Sequence, residues 1–136
     1  MTWEKDGPIR FGPLWDFDLA FGNASLKENR TPEDWFIRTQ RWYRLIFRNA
    51  YVDEAAKNYW NDHKELFHDL IDSVPVYRKI IEKALKNEYR RWPVMGNTEN
   101  WALKEPYDSY DEGIEIMVQW MKDRYDWICL QIGNGR

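Results

Sequence analysis

Gly12-Pro13-Leu14-Trp15-Asp16-Phe17-Asp18-Leu19-Ala20-Phe21-Gly22-Asn23 sets two acids, Asp16 and Asp18, two residues apart in an otherwise apolar run. In an extended chain, alternation points both carboxylates to one side and Trp15 and Phe17 to the other. Holding two like charges in apolar surroundings is costly unless something compensates. Two readings follow. The acids form a cation-binding pair at a strand end, where magnesium–phosphate chemistry is often placed. Or they sit in a turn and cap backbone N–H groups.

Upstream, Thr2 to Lys5 and Ile9 to Trp15 flank Asp6-Gly7-Pro8, a hairpin signal. Pro13 weakens the second strand. The hairpin delivers Asp16 at its exit, and residues 1–23 form one unit with the acidic motif. Two strands do not make a stable sheet alone, so the pattern predicts that the parent protein continues upstream of Met1. The start also lacks the basic-then-apolar pattern of a signal peptide.

Downstream, residues 31–132 read as helical. Thr31-Pro32-Glu33-Asp34 offers a capping residue, a first-turn proline and first-turn acids. The spacing predicts a helix from there through Arg48, with a break near Arg38. A second helix fits Val52 to Phe67, with Val52, Ala56, Tyr59, Trp60, His63 and Phe67 on one stripe. Pro75 marks a boundary, and a third helix follows from Val76 to Arg91, with Tyr77, Ile80, Ile81, Ala84 and Leu85 inward. Residues 94–108 read as a long loop. Ser109-Tyr110-Asp111-Glu112 is a capping box opening a last helix, Tyr110 to Ile132, stopped by Gly133. Its apolar arc is wide enough to be buried on both sides. The expected fold is mainly α: a β-hairpin followed by a helical bundle, in one domain-sized piece.

Composition narrows the function. A net charge of −3 argues against nucleic acid as a partner. No apolar run approaches the ~20 residues of a membrane span. The single cysteine, Cys129, excludes an internal disulfide and a cysteine-based zinc site, and reads as a small buried hydrophobe. His63 and His68 lack the i, i+4 spacing of a helical metal pair, which leaves His63 in the core and His68 at the surface. No nucleophile–base pair is visible.

Gly12-Pro13-Leu14-Trp15-Asp16-Phe17-Asp18 followed by Gly22-Asn23 resembles the spore-coat protein H family, the CotH kinases. Trp42-Tyr43-Arg44-Leu45, Trp60 and Trp120…Arg124…Trp127 look like the rest of that pattern. The resemblance covers most of the chain. It implies the C-terminal portion of an atypical protein kinase-like fold, contributing its helical C-lobe. Such an enzyme transfers the ATP γ-phosphoryl group to Ser or Thr of a protein substrate with Mg or Mn. Asp16 then stands where protein kinases carry the metal-binding Asp of Asp-Phe-Gly, with Asp18 a second candidate. The chain departs from a whole kinase. It has no Gly-rich nucleotide loop, no phosphate-anchoring Lys on an upstream strand and no catalytic-loop Asp before the hairpin. These are expected upstream of Met1, and the chain alone is expected to be inactive. The family points to spore coat, envelope or secretion.

Other residues carry weaker signals. Arg41, Arg44 and Arg48 share a helical face, with Arg38 a turn earlier. They suit phosphate or an acidic substrate segment, although a solvated face paired with nearby acids is the plainer reading. Trp42, Trp60, Trp120 and Trp127 fall on apolar stripes and are expected in the core. Trp101, in the long loop, is the tryptophan best placed to touch a ligand. Arg124, on a broadly apolar helix, requires a carboxylate partner, and an acid from the hairpin region would tie the last helix to the acidic motif. A second function class remains beside the kinase: a non-catalytic helical binding module of the cell envelope, for glycan or protein, with the acids as structural caps.

Overall fold

The computed structural model describes residues 2–10, 12–13, 15–17, 19–24, 30–96 and 107–133. Asp18 and Trp101 lie outside them. The element order is β1 (Thr2–Trp3), β2 (Ile9–Arg10), α1 (Phe36–Thr39), α2 (Arg41–Ile46), α3 (Ala50–Ile80), α4 (Glu82–Arg91) and α5 (Tyr110–Gly133).

The expected hairpin followed by a bundle is overturned. Pairing is limited to Thr2 with Arg10 and Trp3 with Ile9, antiparallel, and the described chain is otherwise helices and turns. The turn explains part of this. Gly7 N–H donates to Glu4 O at 2.8 Å, and Asp6 takes a left-handed φ of 63°. Two residues on each side make no sheet that can stand alone. Nor does a strand run on to the acidic motif, because Asp16 has a φ of 62°. A left-handed residue breaks the alternation that would have aligned its side chain with that of Asp18.

The first helical region breaks at Gln40, whose ψ of 146° separates α1 from α2; the break was expected near Arg38. Thr31 does not cap a helix. Its Oγ1 accepts from Glu33 N–H at 3.1 Å, and the helix starts later, at Phe36. Asn49 caps α3, accepting from Tyr51 N–H at 3.0 Å. α3 then runs through Pro75, so the expected boundary there is absent. A proline inside a helix removes one ladder bond and costs about 3 kcal/mol. The carbonyl it leaves without its usual donor belongs to Ile71, one of the two buried residues among those described. Burial of Ile71 between α3 and α5 outweighs the local preference. The break falls instead at Ile81, with φ −88° and ψ 2°.

α5 matches its expected span. Ser109 Oγ accepts from Glu112 N–H at 3.1 Å, and the Glu112 carboxylate reaches back to Asp108 N–H at 2.7 Å. This is close to a capping box, with the return bond falling on the residue before the N-cap.

The long-range packing is α3 on α5. Trp60 lies 5.5 Å from Tyr125, ring to ring, and stacks on Phe67 at 5.2 Å. Arg78 makes a two-pronged pair with Asp111, Nε–Oδ1 at 2.6 Å and Nη2–Oδ2 at 3.0 Å. Tyr89 meets Tyr110 edge-on, which brings α4 to the start of α5. Between α3 and α5 lies an apolar cavity of about 560 Å³, into which Phe17 and Phe21 reach. Only Ala24 and Ile71 are buried among the described residues. Trp42, expected inward, is 67% exposed, and Tyr77 and Ile80 face solvent as well. Cys129 and His63 are half-buried rather than core residues; His63 Nδ1 lies 2.8 Å from Tyr59 O.

Two carboxylates anchor the helix packing. The Arg78 guanidinium holds Asp111 below its usual pKa. The Lys57 ammonium, 3.0 Å away, does the same for Asp53, helped by Arg38 at 2.7 Å and opposed by burial. A lowered carboxylate stabilises the fold above its unfolded pKa of about 3.9, and that contribution is lost as pH falls through the lowered folded value. Asp111→Asn and Asp53→Asn should therefore each destabilise the protein at pH 7. Urea titrations from pH 7 to 2.5 should show both gaps to wild type closing on acidification.

Candidate functional site: an acidic cleft held by the last helix

Asp16 lies on the wall of an open cleft of about 460 Å³, with Glu33, Asp34, Phe36, Trp120 and Arg124 among its other walls. The cleft exists because α5 grips the segment from Phe21 to Trp35. Trp120, Arg124 and Trp127 follow one another at i, i+4 and i+7, along one face of the helix. Each holds a different part of the segment.

Trp120 Nε1–H donates to Arg30 O, and its ring meets Phe21 edge-on at 5.8 Å. Beneath the ring lies Gly22. A Cβ on Gly22 would stand 2.7 Å from the indole, and φ there is +83°. Phe21 is left-handed too, at 55°, so the Ala20–Asn23 turn has both central residues at positive φ; Asn23 N–H donates to Ala20 O at 3.0 Å. Ala24 follows, buried, and its carbonyl accepts from Arg30 Nε at 2.6 Å.

Arg124 does not find the carboxylate partner its place on an apolar helix predicted. Its Nη1 donates to Pro32 O at 2.8 Å and to Asp34 O at 2.6 Å. The guanidinium lies 4.8 Å from the Trp127 ring centroid and 5.4 Å from that of Trp35. Trp35 and Trp127 pack edge-on at 4.9 Å. Backbone carbonyls and ring faces together satisfy the cation without an ion pair. Burial pulls the Arg124 pKa down and the Asp34 charge pushes it back; it stays protonated at neutral pH.

Arg38 anchors the far end of the segment. It lies between the Trp35 and Phe47 rings, 4.3 Å from each centroid, and pairs with Asp53 of α3. It belongs to the packing, unlike Arg41, Arg44 and Arg48. Those three are exposed, form no ion pair among the described residues, and do not line the cleft. The expected pairing with neighbouring acids is not found among the described residues.

The sequence reading did not place Glu33 and Asp34 on the same cleft as Asp16. Their place in a helix-start pattern concealed it, and the later start of α1 is what frees them. Among the described residues no group of three acids, histidines or cysteines converges to hold a metal ion. A resident all-protein cation site is therefore not formed by them. Magnesium in phosphoryl-transfer sites, however, takes one or two carboxylates and completes its shell with phosphate oxygens and water. The exposed Asp16 carboxylate, which has no partner among the described residues, fits that lesser requirement.

Removing the grip should be costly. Arg124→Ala strands two carbonyls and separates two indoles, and should lower stability by about 2–3 kcal/mol. Gly22→Ala combines a strained φ with an overlap on Trp120, and should cost about 1–3 kcal/mol. Urea midpoints measure both, and the Trp120 fluorescence environment should change in Gly22→Ala.

No curated protein and no solved structure matches the chain. A family model described as CotH kinase protein matches residues 1–128, through both the acidic motif and the gripping face of α5. By that match the chain belongs to the CotH kinase family.

Proposed function

We propose that this chain is the C-terminal part of a CotH-like protein kinase. In that role Asp16 contributes a carboxylate to the magnesium or manganese ion that accompanies ATP, for phosphoryl transfer to Ser or Thr of a protein substrate. Asp18, outside the described residues, is the second candidate ligand on sequence grounds alone. The observation that carries this reading is the family match running through Trp15-Asp16-Phe17, together with the Asp16 carboxylate on the cleft wall, which has no partner among the described residues. The scant burial supports the larger domain: a 136-residue chain with two buried residues among those described is short of the core a folded domain needs.

A divalent ion held by Asp16 would supply positive charge to the phosphates during transfer. The residues of this chain do the holding. The left-handed backbone at Asp16 turns its carboxylate away from the path of a strand. The Phe21–Gly22 turn, pressed on Trp120, fixes where that backbone emerges. Arg124, on the same cleft, sets a positive charge that acts on Asp34. Arg41, Arg44 and Arg48 are assigned contacts with phosphate or an acidic substrate segment, away from the cleft. Spore-coat association follows the family.

A binding module of the envelope is the rival reading, and exposed Trp15, Trp42 and Trp92 favour it. Manganese titration of the whole kinase protein, followed by electron paramagnetic resonance with and without ATP, separates the two. Asp16→Asn should weaken ATP-dependent manganese binding tenfold or more. Unchanged binding would remove Asp16 from the metal and leave the module reading. The 136-residue chain by itself should show no transfer of γ-phosphate in a radiolabel assay.

A further inference from the structure

α3 carries an apolar stripe on the side turned away from α5. Trp60, Ile71 and Arg78 mark the inner side, through the Tyr125 ring, burial and the Asp111 pair respectively. On the outer side stand Tyr59, Leu66, Val76, Tyr77 and Ile80, at 59%, 65%, 60%, 58% and 70% exposure. Tyr59, Leu66 and Ile80 keep a seven-residue spacing through Ser73. That is the period of a helix packed along another helix. The chain as a whole exposes 11373 Å² at 16.7 kDa, where a folded monomer of that mass exposes about 7,600 Å².

The charges flanking the stripe choose the partner. From Asp62 to Asp72 they are mostly acidic: Asp62, Glu65, Asp69 and Asp72 against Lys64. From Arg78 to Arg91, continuing into α4, they are mostly basic, with Lys79, Lys83, Lys86, Arg90 and Arg91 prominent. A rod that is acidic at one end of its apolar stripe and basic at the other is complementary to itself turned end over end. We infer that this face pairs with the same face of a second copy, α3 antiparallel to α3, about a two-fold axis at Ser73. Leu66 then meets Ile80 of the second copy. Glu65 comes beside the second copy's Lys83, and Asp69 beside its Lys79. None of these four charged residues makes an ion pair within the chain among those described. Ser73, small at the axis, lets the backbones approach, and its hydroxyl is already turned onto Leu70 O at 2.6 Å.

The area suffices. Five side chains more than half exposed, each offering on the order of 100 Å², supply more than half of the ~800 Å² per partner of a standard interface. The contact is isologous, so each pairing occurs twice.

Sedimentation equilibrium of the whole kinase protein from 1 to ~200 µM tests this. A reversible monomer–dimer equilibrium is expected, weakening with salt. Leu66→Asp and Ile80→Asp, both at exposed positions, should shift the dissociation constant upward at least tenfold with the circular dichroism spectrum unchanged. Glu65→Lys should weaken the dimer, and Glu65→Lys with Lys83→Glu should restore it, since the swap keeps the two-fold complementarity. A concentration-independent monomer overturns the inference. So does association that Leu66→Asp leaves intact or that the double swap fails to restore, because the contact would then lie elsewhere or be non-specific.

Discussion

The structure of the cleft depends on one cation meeting two carbonyls. Arg124 donates to Pro32 O and Asp34 O from the middle of α5, ninety or more residues along the chain. Those carbonyls belong to a turn that makes few other contacts of its own. Without the guanidinium, the turn would lose both of its hydrogen bonds to α5, and only the Trp120 bond to Arg30 O and the aromatic contacts of Phe21 and Trp35 would still hold the segment there. The indoles on either side shield the interaction: Trp127 with Trp35 on one flank, Trp120 over Gly22 on the other. A hydrogen bond to a charged donor is worth roughly twice a neutral one, and more where water is kept out.

This arrangement is an economical one for a thin fold. Helices of this length bury little when only two of them pack, and α3 on α5 leaves an unfilled apolar space of about 560 Å³. Directional bonds do what a core would otherwise do. Arg78 with Asp111, Arg38 with Asp53, and Arg124 with the turn each join parts of the chain far apart in sequence. All three are arginines. Its planar, multi-donor head reaches from an apolar stem and rests on aromatic faces, and the unusual tryptophan content supplies those faces: nine tryptophans in 136 residues.

The parts legible in the sequence are those governed by local chemistry. Ser109 and Glu112 announce the start of α5, and Gly133 its end, because capping is decided within four residues. The errors arose where distant packing overrode local preference. Pro75 argues for a boundary, and packing of the turn around Ile71 carries α3 past it. Asp16 reads as the exit of a strand, yet its φ is left-handed. No alternation rule reveals that, because aspartate is one of the few side chains that tolerate this region. Arg124 was legible as a buried cation in want of a partner. That the partner is backbone was not, since carbonyls are everywhere in a sequence and mark nothing. Glycine gave a better signal: Gly22 between Phe21 and Asn23 already indicates a positive φ, and the overlap with Trp120 is the tertiary reason for it.

The two faces of the helix pair therefore carry different burdens. The inner face of α5 spends its aromatic and cationic residues on a turn, and the acidic cleft opens there. The outer face of α3 spends nothing within the chain, although its side chains are as apolar as those inside. An apolar stripe beside charges of opposite sign at its two ends is a specified surface, because each charge permits one orientation of a partner and opposes the reverse. Since that stripe lies across α3 from α5, whatever covers it leaves Asp16, Glu33 and Asp34 open to solvent and ligand. Assembly and cleft chemistry can then coexist in one short chain, linked mechanically through α3 itself.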